Sequence, residues 1–312
     1  MKIGRVCLIL MLLSVLGACS PLSKGSYISG SKGRPVQKGE ITIGSKSMTE
    51  QYLLMKITSL VLQAHGYHVK ELVFLDSPAI RSAMENGKVD LYWEYTSTAQ
   101  VNYLKRPPIF NPDKAYQAVA KEDGKRGIIW LPRSQMNSNW AVLVNEDLAN
   151  KLHIKTISDL ADYIRRDNGS IKIAMNEEYL NRVDGFKQLE QVYQFSVPND
   201  KIIAVDTSLL SQAVLEGRVE VAVGMANDAR VKFNHLVILK DDRHVFPPYD
   251  AAPVILNQTL TKKPELREIL TQISNVLTNQ NMLELLYKVD IQHQDIAQTA
   301  WTFLRDHHLL QH

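Results

Sequence analysis

The sequence predicts an α/β protein built as two similar lobes, and three observations carry that expectation. The first is a repeated device. Asn86-Gly-Lys-Val-Asp-Leu-Tyr-Trp-Glu-Tyr-Thr-Ser-Thr98 is echoed by Glu216-Gly-Arg-Val-Glu-Val-Ala-Val-Gly-Met225. In each copy a Gly that ends a helix precedes a base, Val, an acid and a run suited to a buried strand. Equal steps from the two glycines land on Tyr95 and Met225. The second is the alternation of short apolar runs with amphipathic helices, the βαβ rhythm of a mainly parallel sheet with right-handed crossovers. The third is a pair of interruptions, near Trp140 and at Phe246-Pro-Pro-Tyr249, where the chain is expected to pass between lobes. Strand ends of such sheets are where ligands sit. The chain reads as a two-lobed clamp around Tyr95 and its counterpart.

The elements follow in order. Ile41–Lys46 reads as a strand, and Ser47-Met-Thr-Glu50 has capping-box spacing for a helix start. Leu53, Leu54, Ile57, Leu60, Val61 and Ala64 then recur at helical spacing, up to Gly66. Val69–Leu75 is a strand, and Ser77-Pro78 opens a helix with Pro at a tolerated position. A helix from Asn111-Pro112 and a strand from Ile128 to Leu131 complete the first lobe, and Trp140–Val144 crosses to the second. There the expected elements are a helix Ser158–Arg166, a strand Ile171–Asn176 and a helix Val183–Phe195. A strand Ile202–Val205, a helix Ser208–Glu216 and strands Val219–Met225 and Leu236–Leu239 follow. Pro253–Leu256 supplies the last strand, and three helices (264–277, 282–289 and 295–309) pack back on the first lobe. The expected division is residues 40–139 with 246–312 for lobe 1, and 140–245 for lobe 2.

At 312 residues, 45% hydrophobic and 22% charged, the chain holds two domains with a substantial core. A formal charge of +3, with no basic run carrying interleaved aromatics, gives no reason to expect nucleic acid. The first 19 residues read as an export signal. Lys2 and Arg5 precede an apolar stretch too short to span a bilayer, which ends in Leu16-Gly-Ala-Cys19. Small residues before a Cys resemble a bacterial lipobox, with Cys19 lipidated as the mature N-terminus. Residues 20–39, rich in Gly, Ser, Lys and Pro, read as a tether. With Cys7 removed, no internal disulfide is possible.

Three motifs, taken together, resemble one family. Ile41-Thr-Ile-Gly-Ser-Lys-Ser-Met-Thr-Glu-Gln51, the Gly87–Thr98 stretch and Phe246-Pro-Pro-Tyr-Asp-Ala-Ala-Pro-Val254 are similar to the substrate-binding proteins of osmoprotectant ABC transporters. That resemblance implies a two-lobed periplasmic-binding-protein fold (type II) with two crossover strands as hinge. It also implies a small quaternary amine such as glycine betaine or choline as ligand. An ABC permease would be the partner, with a lipid anchor in a membrane and a monomeric receptor that needs no cofactor or metal.

A trimethylammonium group offers no N–H, so aromatic faces grip it, at ~0.5–2 kcal/mol per ring. By the family pattern the cage rings map onto Tyr95, Trp140 and Tyr249. Lys46 and Arg182 map onto the cations for a ligand carboxylate, and the Thr98 hydroxyl is a donor. Arg182 can equally pair at the surface with Asp184 or Glu178, and Lys46 can be merely solvated. Two departures stand out. Met225 occupies a strand end where relatives commonly carry an aromatic, and Ser97 replaces a Gly. Met is polarizable but has no ring quadrupole.

Other classes find less support. The nine His show no His-Glu-x-x-His spacing, and neither a Gly-x-Ser-x-Gly elbow nor a dinucleotide fingerprint occurs. Asp90 and Glu94, the acids of the first device, need only be structural. A receptor for an amino acid or other carboxylate is the nearer rival, and a lipid-anchored sensor or partner outside transport also fits two lobes.

Overall fold

The structure, a computed structural model, describes residues 38–166, 170–233 and 236–310. The export signal, Cys19 and nearly all of the expected tether lie outside the described residues. The chain has already joined the fold at Lys38, whose N–H donates to the Gly66 carbonyl.

Among the described residues, ten strands form two five-stranded sheets. The first holds β1 (Glu40–Lys46), β2 (His68–Phe74), β3 (Leu91–Tyr95), β4 (Ile128–Trp130) and β10 (Ala251–Leu256), in the order β2-β1-β3-β10-β4. The second holds β5 (Trp140–Asn145), β6 (Ile173–Met175), β7 (Ile202–Ala204), β8 (Val221–Met225) and β9 (Leu236–Ile238), in the order β7-β6-β8-β5-β9. The orders are equivalent. In each sheet the strand that enters from the other lobe (β10 or β5) sits between two neighbours and runs antiparallel to both. The remaining strands are mutually parallel, so each sheet is mainly parallel and burial on both faces is expected. β3 is buried at all five positions. Leu91, Trp93 and Tyr95 face the helix Thr49–Ala64, and Tyr92 faces the opposite core with Ile80 and Met84.

The repeated device folds alike in both lobes. Gly87 (φ 68) and Gly217 (φ 66) take the left-handed conformation that ends a helix at little cost only for Gly. Lys88 N–H returns to Ala83 O, and Arg218 N–H returns to Ala213 O. The acid then clamps the neighbouring segment: Asp90 accepts from Thr42 N at 2.8 Å, and Glu220 from Lys172 N at 2.8 Å. These acids therefore hold strands in register, the structural role expected of Asp90.

The hinge is the antiparallel approach of residues 136–139 to 248–251. Ser138 N–H donates to Tyr249 O and Ala251 N–H to Met136 O, at 3.0 and 3.1 Å. Ser97 has its explanation here: its hydroxyl donates to Pro248 O at 2.7 Å, beside that of Thr96 at 2.9 Å. A Gly would leave that carbonyl one donor short.

Two local expectations are corrected. The capping box at Ser47 does not form: Met48 holds the cap position with no side-chain bond, and the Glu50 carboxylate turns inward. The expected helix 183–195 is the shorter Phe186–Tyr193, and a separate helix Glu177–Asn181 precedes it, with Arg182–Gly185 between them. Asn176 caps the first of these, its side chain accepting from Tyr179 N. The chain then folds so tightly that a Cβ on Gly185 would lie 1.9 Å from the Tyr179 carbonyl oxygen. Helices at Glu146–Leu152, Ala229–Phe233 and Asn257–Lys262 were not expected from pattern. Replacing Gly185 with Ala should lower unfolding free energy by about 1–3 kcal/mol through overpacking, read as a reduced urea midpoint at unchanged slope. An unchanged midpoint would show that the corner relaxes freely.

Candidate ligand-binding site

The two strand ends and the hinge converge on one cavity of about 70 Å³ between the lobes, which opens into a cleft of about 650 Å³. The cleft lies within the usual size range of small-molecule sites. All seven site residues expected from sequence line the cavity: Lys46, Tyr95, Thr98, Trp140, Arg182, Met225 and Tyr249. Register explains part of this convergence. Tyr95 ends β3 opposite Ala251, while Met225 ends β8 opposite Trp140, so ring and thioether share one face of the second sheet. Tyr249 lies on the hinge segment just before β10.

Trp140 is backed by Tyr179, with ring centroids 4.6 Å apart. Tyr179 is fully buried and its hydroxyl makes no hydrogen bond. Its contribution is a packed ring face that keeps the indole in place.

The two cations are already engaged. Lys46 Nζ lies 2.6 Å from Glu94 Oε1 and 4.8 Å from the centroid of the Tyr95 ring. Glu94 also accepts from the hydroxyls of Tyr92 and Tyr103 and from Tyr95 N, at 3.0, 2.7 and 2.7 Å. Arg182 sits in the connection between the helices Glu177–Asn181 and Phe186–Tyr193, with its side chain 2% exposed. Its Nε and one terminal nitrogen form a fork on Asp184, at 2.8 and 2.7 Å. That nitrogen also donates to the Tyr249 hydroxyl (3.2 Å), and the other terminal nitrogen donates to Glu178 (3.1 Å) and Thr98 (3.4 Å). All five donors of the guanidinium are occupied. Pairing with Asp184 and Glu178 was the alternative reading of this residue, but the pair is buried and not at the surface.

Sequence reasoning missed Glu50. The helix Thr49–Ala64 carries it behind the cavity-lining Tyr95 and Ser138, where it is 2% exposed and accepts from Tyr95 OH, from Ser138 Oγ (2.7 and 2.8 Å) and from Asn227 Nδ2. Those donors belong to the first sheet, the hinge and the second lobe. Only its capping-box position was legible, and that pointed to the backbone. Glu178 ties the lobes again, accepting from Ser77 N (3.2 Å) and Asn102 Nδ2 (3.1 Å).

Burial pushes the Glu50 carboxyl above its ordinary 4.5, against the lowering effect of its three hydrogen-bond donors and of Lys46. Burial also acts on Glu178, but the charges of Lys46 and Arg182 outweigh it and hold that carboxyl below its usual value.

Polarizable faces, satisfied charges and an interlobe cavity suit binding of a small molecule. The chain belongs to the family described as the substrate binding domain of ABC-type glycine betaine transport systems, whose model matches residues 39–306. It is 32% identical over 279 residues to a glycine-betaine-binding protein of Pseudomonas aeruginosa, covering 88% of this chain and 90% of that one. It is 27% identical to the glycine betaine-binding protein YehZ of Escherichia coli, covering 85% of this chain and 90% of YehZ. A solved glycine betaine/carnitine/choline ABC transporter structure superposes with a TM-score of 0.70 at 26% identity, covering 87% of this chain and all of that one. The two-lobed α/β fold expected from the sequence is the fold of these proteins.

The raised Glu50 carboxyl sets a pH dependence. Its folded form keeps the proton to higher pH than the unfolded chain does, so its contribution to stability is fullest below 4.5 and declines as pH rises through the folded value. The stability advantage of the wild type over Glu50→Gln should therefore shrink as pH rises above about 4.5 in urea titrations. A gap that is constant or widens with pH would contradict the assignment.

Proposed function

We propose that this chain binds a small quaternary amine between its lobes and hands it to an ABC permease. The observation that carries the reading is that Tyr95, Trp140 and Tyr249, which come from two lobes and a hinge, line one cavity. The cage is built from lobe 1 (residues 40–139 and 246–312) and lobe 2 (140–245), and Met225 adds a polarizable wall to the same cavity. Thr98 turns its hydroxyl toward the same space. The receptor acts as a monomer on the extracytoplasmic side, held by lipid on Cys19, and carries out no chemical step. Family membership, the names of the relatives and the leader motif support this reading over an amino-acid receptor or a sensor.

Calorimetric titration with glycine betaine, choline, carnitine and proline betaine, and with glutamate and arginine as contrasts, tests it. One or more amines should bind, and Trp140→Ala should weaken that binding about tenfold, near the upper worth of one ring. Binding confined to the amino acids would overturn the reading.

A further inference from the structure

The cavity has a charge balance that bears on which quaternary amine it takes. Among the described residues, Lys46 and Arg182 are the cations of its wall. Each is committed to a carboxylate that is itself wholly buried: Glu94 and Asp184 have 0% side-chain exposure. Glu178 and Asp76 line the cavity too, and Glu50 stands behind Tyr95. Apart from Glu50, whose carboxyl holds its proton more tightly, four carboxylates thus surround two cations. Asp76 is occupied by its helix, accepting from Ala79 N at 2.8 Å.

A zwitterionic ligand needs a cation for its carboxylate. Taking Arg182 would mean displacing Asp184 from a two-point fork and leaving that acid buried without its partner, and breaking a buried pair on one side is the costly way to disturb it. Taking Lys46 would strip Glu94 in the same manner. A ligand of net positive charge asks for neither. Its ammonium meets the rings and the surplus negative charge. A neutral hydroxyl at its other end donates to Glu178, whose neighbours Ser77 N, Asn102 and Arg182 already point donors at it. A ligand carboxylate in that position would face Glu178 and Asp76 as a like charge.

We infer that the site selects quaternary amines of net positive charge that lack a carboxylate, amino alcohols among them, over zwitterions with the same head group. This rests on the quaternary-amine reading above and goes beyond it. Arg182 then serves as an internal tie between Thr98, Tyr249 and the second lobe, not as the ligand's anion clamp.

The test compares three ligands that share a trimethylammonium head: choline, glycine betaine and the methyl ester of glycine betaine. The ester keeps the betaine skeleton and its trimethylammonium charge and removes the negative charge of the carboxylate. Calorimetry on the purified protein near pH 7 should give Kd values for choline and the ester at least tenfold below that for glycine betaine. Glu178→Gln, which leaves the Arg182–Asp184 fork intact, should narrow that ratio at least threefold. Asp184→Asn, which frees the fork, should narrow it further. Glycine betaine binding as tightly as its ester would overturn the inference and leave the quaternary-amine reading standing. Binding of none of the three, nor of carnitine or proline betaine, would overturn both. A ratio unaltered in a folded Glu178→Gln protein would remove Glu178 from the argument and contradict the charge balance proposed.

Discussion

Charge taken out of water governs how this molecule is put together. Lys46 and Arg182 are nearly inaccessible, and a buried ion without a partner costs several kcal/mol. Each must meet a carboxylate at hydrogen-bond distance, and the chain is shaped to supply one. Arg182 reaches Asp184 because both lie in the tight connection between the helices Glu177–Asn181 and Phe186–Tyr193, and that connection requires a residue without a side chain at Gly185. Through its remaining donors the same guanidinium touches Thr98 of the first lobe and Tyr249 of the hinge. One desolvated cation thereby sets the relative placement of three segments far apart in sequence. Such pairs are close to neutral as sources of stability. Their effect is to make other arrangements costly.

Glu50 extends the same logic without a cation at contact distance. Its carboxylate is satisfied by hydroxyl and amide donors from the first sheet, the hinge and the second lobe. The Tyr95 ring is held by its own hydroxyl, which donates to Glu50 and accepts from Gln51 at 2.8 Å. An aromatic wall works as a binding surface only when its face is fixed, because each ring it loses to rotation is interaction energy forgone. Trp140 has an equivalent support in Tyr179. The rings are preorganised by different means, one through hydrogen bonds and the other through stacking.

Much of the architecture was legible because it is written locally. Period-2 and period-3.6 patterns mark strands and helices, and the Gly-base-Val-acid device marks the strand ends that approach the cavity. That Tyr95, Trp140 and Tyr249 share one cavity followed from counting along those devices and from the family motifs. The missing part depends on distance across the fold. Glu50 sits at a capping position, and the sequence offers no sign that its carboxylate faces Ser138, 88 residues away. The partners of Arg182 were visible as neighbours in sequence, yet their burial follows from the packing of Tyr249 above them. The antiparallel course of β5 and β10 within otherwise parallel sheets is a property of connection order, to which apolar periodicity is blind.

The position of β10 has a consequence for how the chain comes to be folded at all. Within its sheet β4 is paired only with β10, and β10 also closes the inner edge of β3. A chain emerging N-terminus first has made β1 to β4 but has no strand to join the last of them to the rest. The second sheet, by contrast, uses the uninterrupted run Trp140–Ile238. It can be complete while the first is still open. Closure of the earlier lobe awaits residues 251–256, a contact between parts of the chain more than a hundred residues apart, and such long-range pairings form slowly. The N-terminal lobe therefore cannot lock until nearly the whole chain has been made.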